Sequence, residues 1–483
     1  MNNTNLTKGN ITKLIFKLSI PMIIAQLINL LYNVVDRIYI GHYGNEEISE
    51  LALSGLGACF PIIILISAFS SLFGMGGAPL VGIALGEKNQ NKANQILNTS
   101  FILLSITSII ILPTLLIFKK PIILAFGANE ENLSYALDYL NIYILGTFFV
   151  MISLGLNQYI TAQGKTLFAM LSIIIGAISN IILDPIFIFG FDMGVKGAAF
   201  ATIMSQALSA FFILIILLNK KSIIKLNPFK TKIDFSIIKS ILFLGLSPFI
   251  MQSTEALIQI CFNNQIKNYI ADPSTETTYL AAMTTLITLM SLVNMPMQGL
   301  AQGTQPIISQ NYGAGETKRA KEASIKLIVL CLLYSFIFVL SIIVFPKFYV
   351  GIFAESKETI ETTTKLIPIF LIGMMFMGIQ IGCQNSFLAL GKSKISLLLA
   401  LLRKIILLIP LTLILPLFLH EKGIFIAESV ADILAITITL VCYILLFNKY
   451  LSQNKKHQNT WLIQVFWCFS YLYYNSSPYK CQE

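Results

Sequence analysis

Twelve apolar segments, each long enough to cross a bilayer, run through this chain of 483 residues and leave it little choice of architecture. A hydrocarbon core about 30 Å thick takes about 20 residues of helix. The segments fall at 16–40, 51–84, 96–118, 136–160, 167–188, 197–218, 237–269, 279–308, 324–345, 363–388, 396–419 and 423–447. Several exceed the minimum and are expected to bend near their prolines. The fold class this implies is an all-α polytopic membrane protein, with twelve transmembrane helices in two six-helix bundles around a central cavity. Only 12% of the residues are charged, about half the share usual in soluble domains.

The net charge of +10 is spread over short loops, which is the pattern of the positive-inside rule and not of a nucleic-acid binder. With the N-terminus inside, Lys220, Lys221, Lys225, Lys230 and Lys232 share one inner loop and Lys318, Arg319 and Lys321 another, while the first outer loop reads GHYGNEEISE. That orientation puts both termini in the cytoplasm of a multi-pass cell-membrane protein. The run from Leu18 to Ile40 is too long for a signal-peptide core and lacks a small-residue cleavage site, so it is read as the first membrane helix. The cysteines number seven and form no CxxC pair, which points to neither a disulfide framework nor a zinc site. No HExxH, GxSxG or Walker phosphate loop occurs, so an ATP-driven pump or membrane metalloenzyme has no support. No catalytic residue and no cofactor is expected beyond a coupling ion.

The chain repeats itself at a constant offset of 227 residues. Pro21 matches Pro248, Gly76 matches Gly303, Pro79 matches Pro306, Gly86 matches Gly313, and Gly164 with Lys165 matches Gly391 with Lys392. Six spans per half is an even number, so both halves enter the membrane the same way round and are parallel repeats about an axis along the membrane normal. The expected division is an amino lobe over 1–218, a basic linker over 219–236, a carboxyl lobe over 237–450 and an aromatic tail over 451–483. Lobes of this kind commonly rock against each other around a substrate cavity.

Polar residues at bilayer depth are costly, about 2.5–3.5 kcal/mol for a charge on insertion scales, and so mark candidate ion or substrate paths. Gln26, Asn29, Asn33 and Asp36 lie on one face of the first helix, and Gln252, Glu255, Gln259 and Asn263 on one face of the seventh. The amides serve either as cavity walls or as interhelical glue, about 0.6 kcal/mol per bond. Counted from the outer helix ends, Asp36, Asp184 and Thr202 share a depth, with Asn180 one turn below Asp184. Two carboxylates, an amide and a hydroxyl suit a monovalent cation such as sodium, or a proton shared by the two acids. Pro185 frees the carbonyl of Ile181 for another partner. In the second half, Glu255 lies mid-helix and Glu428 with Asp432 shares one face of the twelfth helix; Arg403 and Lys404 count as close to the inner end of helix eleven, out of reach. Acids without such a partner attract organic cations or carry protons, or act as protonated structural donors. Methionines at 283, 290, 295 and 297 and at 374, 375 and 377 either adapt to apolar ligands or fill core gaps, with Met283 and Met290 the candidates for ligand contact.

The first helix, IPMIIAQLINLLYNVVDRIYIGHYG, the segment GMGGAPLVGIALGEKNQNKA with its repeat GLAQGTQPIISQNYGAGETKRA, and the turns TAQGKT and LALGKSK resemble the multidrug and toxic compound extrusion (MATE) family over residues 10–450. Asp36, Asn180, Asp184 and Thr202 are similar to the DinF-like, MepA-like branch, where the resemblance implies an amino-lobe cation or proton site. Asn157 matches the same pattern, although its depth count lies nearer the cytoplasm. The resemblance implies antiport, with sodium or proton uptake driving export of amphipathic organic cations by a monomer in contact with membrane lipid. Glu255 resembles the helix-seven acid of the NorM-like branch, but helix ten carries Gln380 and Gln384 and no aspartate, which weighs against a NorM-type carboxyl-lobe sodium site; these two amides are assigned to the substrate cavity. The tail, with Trp461 and Trp467, is too short to span and is either interfacial or without function. A lipid-linked saccharide flippase shares the bundle but favours a basic cavity for pyrophosphate. A membrane enzyme or scaffold predicts no cation-coupled flux.

Overall fold

The computed structural model describes residues 6–126, 128–354 and 356–452; the aromatic tail from 453 on, with Trp461 and Trp467, lies outside the described residues. Every regular element among them is helical. Eleven helices are long and apolar enough to cross a membrane, at Ile11–Gly41, Glu47–Gly86, Gln90–Ala125, Leu133–Ala162, Thr166–Gly190, Val195–Leu218, Phe235–Tyr269, Pro273–Gly313, Thr317–Val344, Ser393–Ile414 and Pro416–Ser452. A bent pair, Lys357–Leu371 and Gly373–Ala389, makes the twelfth crossing, tenth in chain order. The chain is thus a multi-pass membrane protein. In the order of the chain these are spans one to twelve.

Local chemistry sets the helix starts. Asn10, Asn45 and Asn89 cap spans one to three, each side-chain oxygen accepting from the N–H three residues on, a contribution of ~1 kcal/mol apiece. Asp272 caps span eight, accepting from Thr275 Oγ1 at 2.6 Å, Ser274 Oγ at 2.7 Å and Thr275 N at 2.9 Å, and these hydrogen bonds hold its carboxyl down at about 2.

Proline accounts for only part of the bending. In span five a π turn at Ile186–Gly190 follows Pro185 directly. The interruptions at Ile144–Gly146 in span four, at Gly373–Phe376 in span ten and at Leu402–Leu408 in span eleven contain no proline. Span ten bends there by 44°. At the start of span twelve His420 sits at φ 51°, a left-handed break that separates Pro416–Leu419 from the crossing proper.

Two apolar cores result, one per half, and they interlock. Leu14, Ile15 and Leu18 from the start of span one pack into the core of the second half. Ile241, the residue 227 positions beyond Leu14, packs from the start of span seven into the core of the first. The repeated glycines make this possible. A methyl group on Gly76 would stand 2.4 Å from the Ile241 carbonyl oxygen, and one on Gly303 would stand 2.4 Å from Ser19 Cα. Backbones therefore touch across the seam, at two glycines related by the repeat.

The seam lies at the end of the bundle that carries the basic linker. There Ser19 Oγ donates to the Leu300 carbonyl at 3.1 Å, and Gln310 Nε2 to the Ala162 carbonyl at 2.9 Å. A short strap before span one lies over the same end: Asn311 Nδ2 donates to Leu6 O and Arg319 Nη1 to Gly9 O, each at 3.0 Å. Beyond the seam, Glu255 and Gln259 of span seven are exposed. Mid-span polar groups face water or protein and not lipid.

Candidate functional site

In the amino half, spans one, four, five and six converge on a polar cluster. Asp184 and Asn180 are one turn apart on span five and almost wholly buried, and Asn180 Nδ2 donates to Asp184 Oδ1 at 3.1 Å. Asp36 on span one is half-buried and close enough to Asp184 for their charges to interact. Arg37, its neighbour in sequence, turns away and lays its guanidinium 4.7 Å above the Phe60 ring. Thr202 on span six donates to its own helix, at Ala198 O, 2.9 Å.

Four buried oxygens here have no donor: Asp36 Oδ1, Asp184 Oδ2, Asn180 Oδ1 and Asn157 Oδ1. A buried acceptor left unpaired costs about 1–3 kcal/mol. A proton or a monovalent cation such as sodium satisfies acceptors and needs no donor in return, so the residues fit the coupling ion that the sequence implies. Asn180 and Asn157 also line a cavity of about 690 Å³, counted with its open mouth, together with Gln26, Asn29 and Gln206. Asn180 thus meets the Asp184 carboxylate on one side and the cavity on the other. The cavity also brings in Asn157, which the depth count set apart, because the space runs along the spans and not at one level.

Sequence reasoning missed Tyr139. Its buried side chain on span four lies beside Asp36 and within hydrogen-bonding reach of Thr202, and it stacks on Tyr143 at 5.6 Å between centroids. An aromatic residue in an apolar span carries no pattern that distinguishes it from core.

The carboxyl half overturns one expectation. Glu255, Glu428 and Asp432 are all paired with bases. Arg403 donates from Nη2 to Glu428 Oε1 at 3.0 Å and from Nε to Asp432 Oδ1 at 2.6 Å, and Lys404 Nζ donates to Glu255 Oε1 at 2.8 Å. Two features let both bases reach these acids. Span eleven starts at Ser393, so Arg403 is ten residues, about 15 Å, inside it. The π turn at Leu402–Leu408 widens the helix, so that adjacent residues reach two different sets of acids.

Several residues assigned to the cavity are bonded elsewhere. Gln252 Nε2 donates to Ser71 Oγ at 2.8 Å and Gln26 Nε2 to Gln302 Oε1 at 3.3 Å, both across the seam. These bonds are interhelical glue, although Gln26 also lines the amino-half cavity. Gln380 accepts from Thr439 and Gln384 donates to Ser247 Oγ, both buried within the carboxyl half away from that cavity. Met283 is a core residue at 1% exposure, and Met290 packs against the same core. Gln259 is exposed. For Asn33 only the helical backbone is described.

The family model of MatE matches residues 21–186 and 256–414, well over half of the chain. The chain belongs to the MatE family. Both matched stretches take in polar clusters described above, Asp36 with Asp184 in one and Arg403 with Lys404 in the other. Among relatives, the multidrug export protein MepA of Staphylococcus haemolyticus is 25% identical over 448 residues, 93% of this chain and 95% of that protein. MepA of Staphylococcus aureus strain MSSA476 is 23% identical, over 91% and 95%. Among solved structures, an outward-facing multidrug resistance MATE transporter of the MOP superfamily has TM-score 0.85 and 23% identity, over 94% of this chain and 99% of that one. A MOP-superfamily transporter from Pyrococcus furiosus, whose binding pocket is said to have reverse polarity and to suggest a different function, also has TM-score 0.85, with 22% identity over 95% and 99%. This MatE protein therefore has the fold of these transporters and belongs to a family of transporters, not enzymes.

Proposed function

We propose that this MatE protein is a secondary antiporter of the cell membrane that exports amphipathic organic cations by alternating access, driven by uptake of protons or sodium ions. The four donorless oxygens beside the amino-half cavity carry the reading, because they accept positive charge from whichever side the cavity faces. Asp36 and Asp184 supply the charge, Asn180 links them to the cavity, and Thr202 with Tyr139 completes the wall. In this reading both termini are cytoplasmic, the linker end is the inner end, and the monomer is the working unit.

Alternating access follows from the seam. Backbone contacts close the linker end while the opposite end is open to water, so the coupling ion arrives at Asp36 and Asp184 from the open side. Its arrival takes one of the two negative charges from the facing carboxylates and so weakens their mutual repulsion, which allows the cleft to narrow. The relatives' designation as multidrug export proteins supports the choice of substrate. The flippase reading needs free basic groups for pyrophosphate. Arg403 and Lys404, the deep bases of the carboxyl half, are already matched by three carboxylates.

The test is ethidium efflux from proteoliposomes under imposed proton or sodium gradients, with Asp36→Asn and Asp184→Asn beside the wild type. Each variant keeps the size of the side chain and loses its charge, and each is expected to lose gradient-driven efflux while inserting normally. Wild-type rates from both variants refute the coupling role. An absence of gradient-driven flux of any organic cation in the wild type refutes the antiport.

A further inference from the structure

The repeat relates the two clusters in an unexpected way. The residues 227 positions before Arg403, Lys404 and Asp432 are Gly176, Ala177 and Ser205, and all three line the amino-half cavity. Where the amino half has small residues and open space, the carboxyl half has charged side chains. The cluster contains three carboxylates and two bases, an excess of one negative charge. Asp432 Oδ2 is buried and has no donor, although Asp432 is wholly enclosed. The cluster is also graded in exposure. The side chains of Arg403, Glu428 and Asp432 are 5%, 2% and 1% exposed and that of Lys404 is 2%, whereas that of Glu255 is 53% exposed.

We propose that Lys404 is a tethered cation filling, in the carboxyl half, the space that the amino half leaves open, and that it competes with a cationic substrate for the Glu255 carboxylate. The inference rests on the organic-cation reading above and adds a residue that sets specificity. Glu255 is the part of the cluster that water reaches, so a substrate's positive centre meets the cluster there. Lys404 is not left bare when it yields, because its charge also interacts with that of Glu428. One added positive charge brings the cluster to neutrality. A neutral or anionic compound gains nothing from displacing the ammonium, so Lys404 rejects weak competitors while admitting cations that bind well to the rest of the cleft.

The test is binding of tetraphenylphosphonium, a monovalent lipophilic cation, to the purified full chain at low salt. Lys404→Met removes the competitor and is expected to tighten binding about five-fold, the scale of a half-exposed ion pair. The double variant Lys404→Met with Glu255→Gln is expected to lose that gain. Unchanged or weaker binding to Lys404→Met overturns the proposal. Should that variant not fold, Glu255→Gln alone serves, because its site is exposed: weaker binding supports the proposal and unchanged binding overturns it. A wild type that binds and exports organic cations while the variants behave like it overturns this inference alone. A wild type that does neither overturns the export reading and this inference with it.

Discussion

Replacing Arg403 by methionine tests the physical account of the carboxyl half most directly. The guanidinium is 5% exposed and bonded to Glu428 at 3.0 Å and Asp432 at 2.6 Å. Methionine fills part of the volume but leaves two enclosed carboxylates facing each other, one of them already with an unpaired oxygen. Breaking a buried pair by removing one partner costs about 3–5 kcal/mol, because the remaining charge has no compensation. In a chain of this size that corresponds to a fall in apparent melting temperature on the order of 5 °C. The informative comparison is the triple variant Arg403→Met, Glu428→Gln, Asp432→Asn, which removes the charges together. Neutral groups of similar shape often replace a buried ion pair at little cost, so the triple variant is expected to recover most of the loss. Thermal unfolding of the purified proteins in detergent, followed by tryptophan-independent thiol labelling of Cys383 and Cys331, reads both. If the triple variant is as unstable as the single one, packing and not charge holds the cluster, and the reasoning fails.

Asn180→Leu is expected to leave substrate binding in place while ending gradient-driven efflux, since it cuts the link between cavity and carboxylates; binding and flux measured on one preparation check this. Gly303→Leu forces span eight off Ser19 at the seam, so transport is expected to fall and a cysteine placed at position 19 to become reactive to maleimide; an unreactive cysteine with normal transport counts against the seam. Arg319→Ala releases the strap, and hydrogen exchange at Leu6–Asn10 is expected to quicken without change in the span cores. Tyr139→Phe keeps the ring stacked on Tyr143 and removes one hydroxyl, so stability is expected to change by about 0.5–1.5 kcal/mol while the apparent affinity for the coupling ion weakens.

The crossings and the repeat were legible because both depend on composition and on spacing, which sequence carries directly. The matched glycines at 76 and 303 were legible only as marks of the repeat, and the backbone contacts at Ile241 and Ser19 show that they allow close approach. The amino-half cluster was legible because acids and amides are rare at that depth and share helix faces. The carboxyl-half pairing was not, for a geometric reason. A depth count assumes 1.5 Å per residue from an assumed start, and it placed Arg403 and Lys404 near a helix end. An earlier start carried them inward and a π turn let adjacent residues reach different acids, neither feature being visible in local composition. The amide stripes were ambiguous in principle, since periodicity identifies a face but not what lies opposite. Gln252 meets Ser71 and Gln384 meets Ser247, contacts between residues far apart in the chain.

The glycine seam also bears on the path between conformations. Side chains interleaved across an interface can slide past one another through small rotamer changes, which is the basis of shear motion. Where one backbone rests on another, as at Gly76 against Ile241 and Gly303 against Ser19, no rotamers are available to absorb a partial displacement. The contact is kept or lost as a unit. Two such contacts, at glycines matched by the repeat, close this end, and the ends of spans one and seven that cross into the opposite cores hold it together. In the alternating-access reading proposed above, opening at the linker end breaks both contacts together, with few half-open states that leak ions or water through the membrane.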